Sequence, residues 1–134
     1  MMDYSKFRDY NELRDFVIKE GKARNRTEAA KHITKTMPKE SYFQTKIIKA
    51  LKKAYPDSVV EKYSAGAYST GGIPDILFIH KGRYYGFEVK RPFIGVVSKL
   101  QEQAIQRIRK AGGVAEVVCF PEEVLEIIEK TDKE

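Results

Sequence analysis

The chain has 134 residues, 25 Lys and Arg against 19 Asp and Glu, a formal net charge of +6, one cysteine and 42% hydrophobic residues. A chain of this length buries roughly two thirds of its unfolded surface in a single core, and the lone Cys119 excludes an internal disulfide, so a disulfide-built secreted scaffold is ruled out and a reducing, cytoplasmic setting is expected. Residues 122–134 hold six acids and two bases, leaving 23 bases against 13 acids elsewhere; a basic body with an acidic tail suits a polyanion partner, although solvated surface explains the same balance.

The opening residues, Met1-Met2-Asp3-Tyr4-Ser5-Lys6, lack a signal peptide's apolar stretch, and no apolar run approaches the roughly 20 residues of a membrane span. The protein is therefore expected to be soluble and unprocessed. Leu13, Phe16 and Val17 form a helical stripe within Tyr10–Glu20 that ends at Gly21. A second short helix is expected from Thr27, read as its N-cap, through Ala29, Ala30 and Ile33 toward Pro38. Together these make residues 1–38 a basic helical extension, whose role is packing, dimerisation or DNA contact.

A stronger helix runs from near Pro38 to about Tyr55 with Phe43, Ile47, Leu51 and Ala54 three or four residues apart. Its stripe continues back to Gln44 and Glu40. An acid in the first turn suits the helix dipole, but one on the buried-facing stripe is less usual. Strand-like runs follow at Ser58–Tyr63, Pro74–His80 and Arg83–Arg91, the first two separated by a loop of small residues and the last two by Lys81-Gly82. A helix over Gln101–Ala111 stops at Gly112-Gly113, a strand covers Val114–Phe120, and a last helix occupies Glu122 to about Lys130. The order after the extension is α-β-β-β-α-β-α, which implies an α/β fold with a small mixed sheet flanked by helices, over residues 39–134.

The candidate chemistry lies between residues 74 and 91. With Lys81-Gly82 as a two-residue turn, His80 pairs with Arg83 and the same register sets Asp75 opposite Glu88. Directly opposed residues have Cβ atoms about 4.5–5.5 Å apart, so two carboxylates there repel unless a cation lies between them. Lys90 shares the face of Glu88. Hard oxygens at this separation suit Mg²⁺ or Mn²⁺. The competing reading is that Lys90 neutralises Glu88 while Asp75 caps its strand. Ser98-Lys99-Leu100-Gln101 fits a capping box, yet Gln101 also shares a stripe with Ile105 and Ile108 that aims it at the sheet end; both readings stay open.

Gly72-Ile73-Pro74-Asp75, then Glu88-Val89-Lys90, the Leu100-Gln101 step and the glycine pair before the fourth strand resemble, in that order, the PD-(D/E)XK nuclease superfamily and more narrowly the VRR-NUC family of virus-type replication and repair nucleases. The likeness covers about residues 39–130. It implies a restriction-endonuclease-like core and metal-dependent hydrolysis of DNA phosphodiesters. On that resemblance Asp75, Glu88 and the carbonyl of Val89 hold Mg²⁺ or Mn²⁺, with Glu40 contributing directly or through water. Lys90 orients or deprotonates the attacking water, and Gln101 steadies the water or the lysine. Members of this size resemble homodimeric enzymes of phage or bacteria that act on branched DNA such as four-way junctions.

The elementary chemistry agrees, since a carboxylate-bound divalent cation supplies both an activated water and charge neutralisation at a scissile phosphate. Arg91 and Lys99 are expected to contact phosphates, as are Arg107, Arg109 and Lys110; Gly72 is expected to let the backbone approach DNA, and Tyr68 to stack on a base. Two rivals remain. One is a non-catalytic DNA-binding module reading through Arg24, Arg26 and residues 27–37; the other is a sequence-specific restriction endonuclease.

Overall fold

A computed structural model describes residues 2–63 and 72–134. A 3-10 turn at Tyr4–Lys6 leads into α1 (Tyr10–Lys19) and α2 (Arg26–Thr36), which pack against each other. Both begin with a side-chain cap: Asp9 accepts from the Glu12 N–H, and Asn25 from the Glu28 N–H. Asn25 thus takes the place expected for Thr27, two residues earlier, because Asn25 has the extended backbone of a cap and Glu28 lies three residues on. The next helix, α3 (Glu40–Ala54), differs. Its N-cap position is Lys39, which makes no side-chain capping bond.

The sheet follows in the expected sequence: β1 (Val59–Lys62), β2 (Ile76–His80), β3 (Arg83–Val89), then α4 (Lys99–Lys110), β4 (Val114–Val118) and α5 (Pro121–Asp132). Strand order across the sheet is β1-β2-β3-β4, antiparallel for the first two pairs and parallel for β3 with β4. The parallel pair requires a crossover, which α4 supplies. Lys81 and Gly82 both have positive φ, 53° and 75°. That is the type I′ turn, whose twist matches the strands it joins, and it sets His80 opposite Arg83 and Ile76 opposite Phe87. The architecture is the anticipated α/β one, a small mixed sheet flanked by helices.

Alternation along β3 divides its residues between two environments. Tyr85, Phe87 and Val89 enter a buried cluster with Phe43, Ile47 and Leu51 of α3 and with Val124 and Ile128 of α5. The same cluster continues without a break into Leu13, Val17, Ala29 and Ile33 of the extension. Burial of roughly 1.5–3 kcal/mol per large apolar side chain therefore ties the first two helices to the sheet-bearing part. Among the described residues no helix is long and apolar enough to cross a membrane.

Candidate active site

The site begins where β3 ends. One step beyond the Ile76–Phe87 pair, the register brings Asp75 to the level of Glu88. Asp75 is pinned from both neighbours: its carbonyl accepts the Tyr63 N–H at 2.7 Å, and its carboxylate Oδ2 accepts the Val89 N–H at 2.8 Å. Lys90 is held in turn by its own N–H, which donates to the Val118 carbonyl at 3.0 Å. The backbone thus fixes both residues before their side chains do anything.

Glu88 is 1% exposed, on the face opposite to Phe87 and Val89. Its Oε1 accepts from Gln101 Nε2 at 2.5 Å and lies 3.7 Å from Lys90 Nζ. Lys90, also buried, reaches Glu40 Oε2 on the first turn of α3 at 3.9 Å. Gln101 satisfies both roles the sequence left open: its Oε1 accepts the Ser98 N–H in the capping box while its Nε2 holds Glu88. One amide couples the start of α4 to the buried acid.

Charge balance bears on the two readings of this cluster. The contacts of the ion-pair reading are present, since Asp75 caps Val89 and Lys90 lies beside Glu88. They do not suffice. Glu88 Oε2 is buried with no hydrogen-bond partner among the described residues, and burial first, with the Asp75 charge second, pushes the Glu88 pKa up to about 7 despite the opposing effect of Lys90. An unsatisfied buried acceptor costs on the order of 1–3 kcal/mol, more when charged, and a cation bound there would relieve that cost. Oxygen donors without sulfur or imidazole fit a hard divalent ion. Among the described residues no three His, Cys, Asp or Glu side chains gather into a metal-holding group. Two carboxylates and a main-chain carbonyl are the donors on offer, with Glu40 beyond Lys90.

Sequence comparison finds no matching family model and no matching curated protein. A solved structure described as a VRR_NUC domain does match, with 28% sequence identity and a TM-score of 0.51, over 67% of this chain and 94% of that one. The chain is similar to a VRR-NUC domain in fold and, more weakly, in sequence.

The remaining expected contacts fare differently. Lys99 is exposed at the first residue of α4, beside Gln101. Arg91 corrects its assignment as a phosphate contact: Nε donates to the Pro38 carbonyl at 3.1 Å, and Nη2 to those of Thr34 and Met37 at 2.9 and 3.0 Å. Arg109 is likewise engaged, by the Ala115 carbonyl and Glu116. Tyr85 is a core residue at 1% exposure. Tyr68 lies outside the described residues. Sequence reasoning also missed Gly95, whose backbone packs under the active-site lysine so closely that an added Cβ would sit 2.7 Å from Lys90 Cβ.

Gly72 is needed for a reason within the fold itself. Its φ is +77°, and a Cβ there would meet the Leu100 carbonyl oxygen at 2.5 Å. The strand-side segment bearing Asp75 therefore rests directly on the first turn of α4. Gly72→Ala is expected to cost on the order of 1–3 kcal/mol through left-handed strain and that collision, read as a lowered denaturation midpoint. An unchanged midpoint would mean that the contact is slack.

Proposed function

We propose that the chain is a Mg²⁺- or Mn²⁺-dependent DNA endonuclease that selects branched structures such as four-way junctions and works as a homodimer in replication, recombination or repair. The observation that carries the hydrolytic part is the buried Glu88 Oε2, without a partner among the described residues and set beside Asp75 and Lys90. Asp75, Glu88 and the carbonyl of Val89 would hold the ion, with Glu40 at the rim. The chemistry it supplies when bound is neutralisation of charge on the scissile phosphate and activation of water.

The chain's own residues set the stage for that chemistry. Gln101 fixes the rotamer of Glu88, so that the acid does not turn away when its neighbours change. Lys90, with its ammonium between two carboxylates, orients the attacking water and offsets the negative charge of an approaching phosphate. Burial of Glu88 and Lys90 excludes bulk water and so strengthens each of these interactions. The basic body outside residues 122–134 supports a polyanion substrate. Dimerisation follows from symmetry: one site cuts one strand, and resolving a four-way junction takes two matched cuts.

The rival binding module would read through Arg24 and Arg26, which are exposed beside Glu28 and Asp15. The deciding experiment incubates the protein with labelled four-way junction, linear duplex and single strand in Mg²⁺, Mn²⁺ or EDTA. Paired symmetric nicks in the junction, abolished by EDTA, are expected. Retained binding with no cleavage of any DNA in either ion would return the binding module, and cuts at fixed positions in linear duplex would return the restriction enzyme.

A further inference from the structure

The segment that follows the active-site lysine, Arg91 to Gly95, is the dock for the N-terminal helices. Consecutive residues at a strand end point in opposite directions. Lys90 therefore turns inward to Glu88 and Glu40, and Arg91 turns outward to the end of α2. There its guanidinium grips three main-chain carbonyls, those of Thr34, Met37 and Pro38. Carbonyls in the last turn of a helix have no intrahelical donor, and the negative end of the helix dipole favours a cation. A planar fork with five N–H groups suits three acceptors at once, as a single ammonium would not.

The grip has a consequence two residues further on. Pro38 leads through Lys39 into Glu40, the acid that Lys90 reaches at 3.9 Å. The helices α1, α2 and α4 are each started by a capping side chain, Asp9, Asn25 and Ser98, whereas α3, the one that carries Glu40, has none. The residues that lead into its first turn, Met37 and Pro38, are instead held by Arg91. A second tie reinforces the first. Phe93 adopts φ +65°, an uncommon conformation for an aromatic residue, and stacks on Tyr10 of α1 with ring centroids 6.4 Å apart.

From this arrangement we propose that Arg91 is a positioning residue for DNA cleavage. It holds the first turn of α3, and with it Glu40, at working distance from Lys90, and it makes the N-terminal helical hairpin a structural part of the active site rather than an appended arm. The inference rests on the nuclease reading for its kinetic consequences, but the geometric claim stands by itself.

The test compares Arg91→Ala and Arg91→Lys with the wild type in three measurements. Single-turnover cleavage should fall on the order of 10–100-fold, the scale expected when a catalytic group is misplaced by about 1 Å, while the dissociation constant for DNA stays within about twofold. Arg91→Lys should recover only part of the rate. In a double-mutant cycle, adding Arg91→Ala to Glu40→Gln should cost little beyond Glu40→Gln alone, because both act through the same acid. Hydrogen exchange of the amides in the first turn of α3, measured without metal or DNA, should be faster in Arg91→Lys than in the wild type, with the β2–β3 amides unchanged.

Three results would overturn the proposal: weakened DNA binding with an unaltered saturated rate, which marks a phosphate contact; fully additive losses in the cycle; or unchanged exchange in the first turn of α3. Should the wild type cleave no DNA at all, the nuclease reading falls, and the exchange comparison still decides whether Arg91 sets the start of α3. Should Arg91→Ala fail to fold, Arg91→Lys carries the same three measurements.

Discussion

Asp75→Asn and Lys90→Met are each expected to reduce junction cleavage by 10³-fold or more while leaving DNA binding within a few-fold of the wild type. Electrostatic groups aimed at developing charge are commonly worth 10²–10³ in rate, and these two residues have further duties that raise the figure. Asparagine at position 75 keeps an oxygen to accept the Val89 N–H, so the strand-end geometry should survive while one negative charge is lost. Methionine at position 90 keeps the buried stem but removes the cation that stands 3.7 Å from Glu88 and 3.9 Å from Glu40. The expected signature is a collapsed single-turnover rate with near-normal fluorescence anisotropy on the same labelled junction, and an unchanged circular dichroism spectrum. An Asp75→Asn protein that cuts at wild-type speed would remove the carboxylate pair from the mechanism and leave only the fold in common with nucleases.

Why these two residues were legible in the sequence, and Arg91 was not, is a matter of range. A two-residue Lys-Gly turn admits few backbone conformations, and once the turn is set the period-two alternation of strands leaves Asp75 only one place to go. That logic is local and gives both acids and the shared face of Lys90. Gln101 was half legible, because a capping box and a bond to Glu88 both fit its spacing; two ends of one amide do both. Arg91 next to Lys90 reads as another base for a phosphate, whereas the carbonyls that claim it lie 53, 54 and 57 residues upstream and leave no local pattern. The same limit explains the α2 start, where two residues of capping type, Asn25 and Thr27, stand close together and only the backbone conformation chooses between them. Strand ends shifted for a simpler cause: Pro74 has no N–H to donate, and the Asp75 carboxylate takes the Val89 N–H, so the β2 ladder opens at Ile76.

The metal-free protein, held in EDTA, is expected to lose stability as pH rises through about 7, and Glu88→Gln to abolish that loss. The folded-state pKa of Glu88 is raised from 4.5 to about 7, chiefly by burial and then by Asp75. Between those values the native state binds a proton that the unfolded chain has released, so unfolding is favoured by each increment of pH. The stabilisation is complete below about 4.5 and gone above about 7. For a residue 1% exposed, a shift of this size corresponds to about 3 kcal/mol at most between the two limits. Glutamine at position 88 keeps an oxygen for Gln101 and never carries the charge, so at pH 8 the variant should be more stable than the wild type by on the order of 1–3 kcal/mol in urea titrations. Addition of Mg²⁺ or Mn²⁺ should reverse the ranking, raising the wild type's midpoint and leaving the variant's unmoved, because an ion that binds only the native carboxylates shifts folding by mass action. A wild type whose stability is flat from pH 5 to 8, or a Glu88→Gln protein weaker than the wild type in EDTA at pH 8, would show the buried acid to be satisfied already. In the expected outcome, the stability gained by losing the charge measures, in the intact protein, what the fold gives up to keep a carboxylate with one unbonded oxygen where an ion can use it.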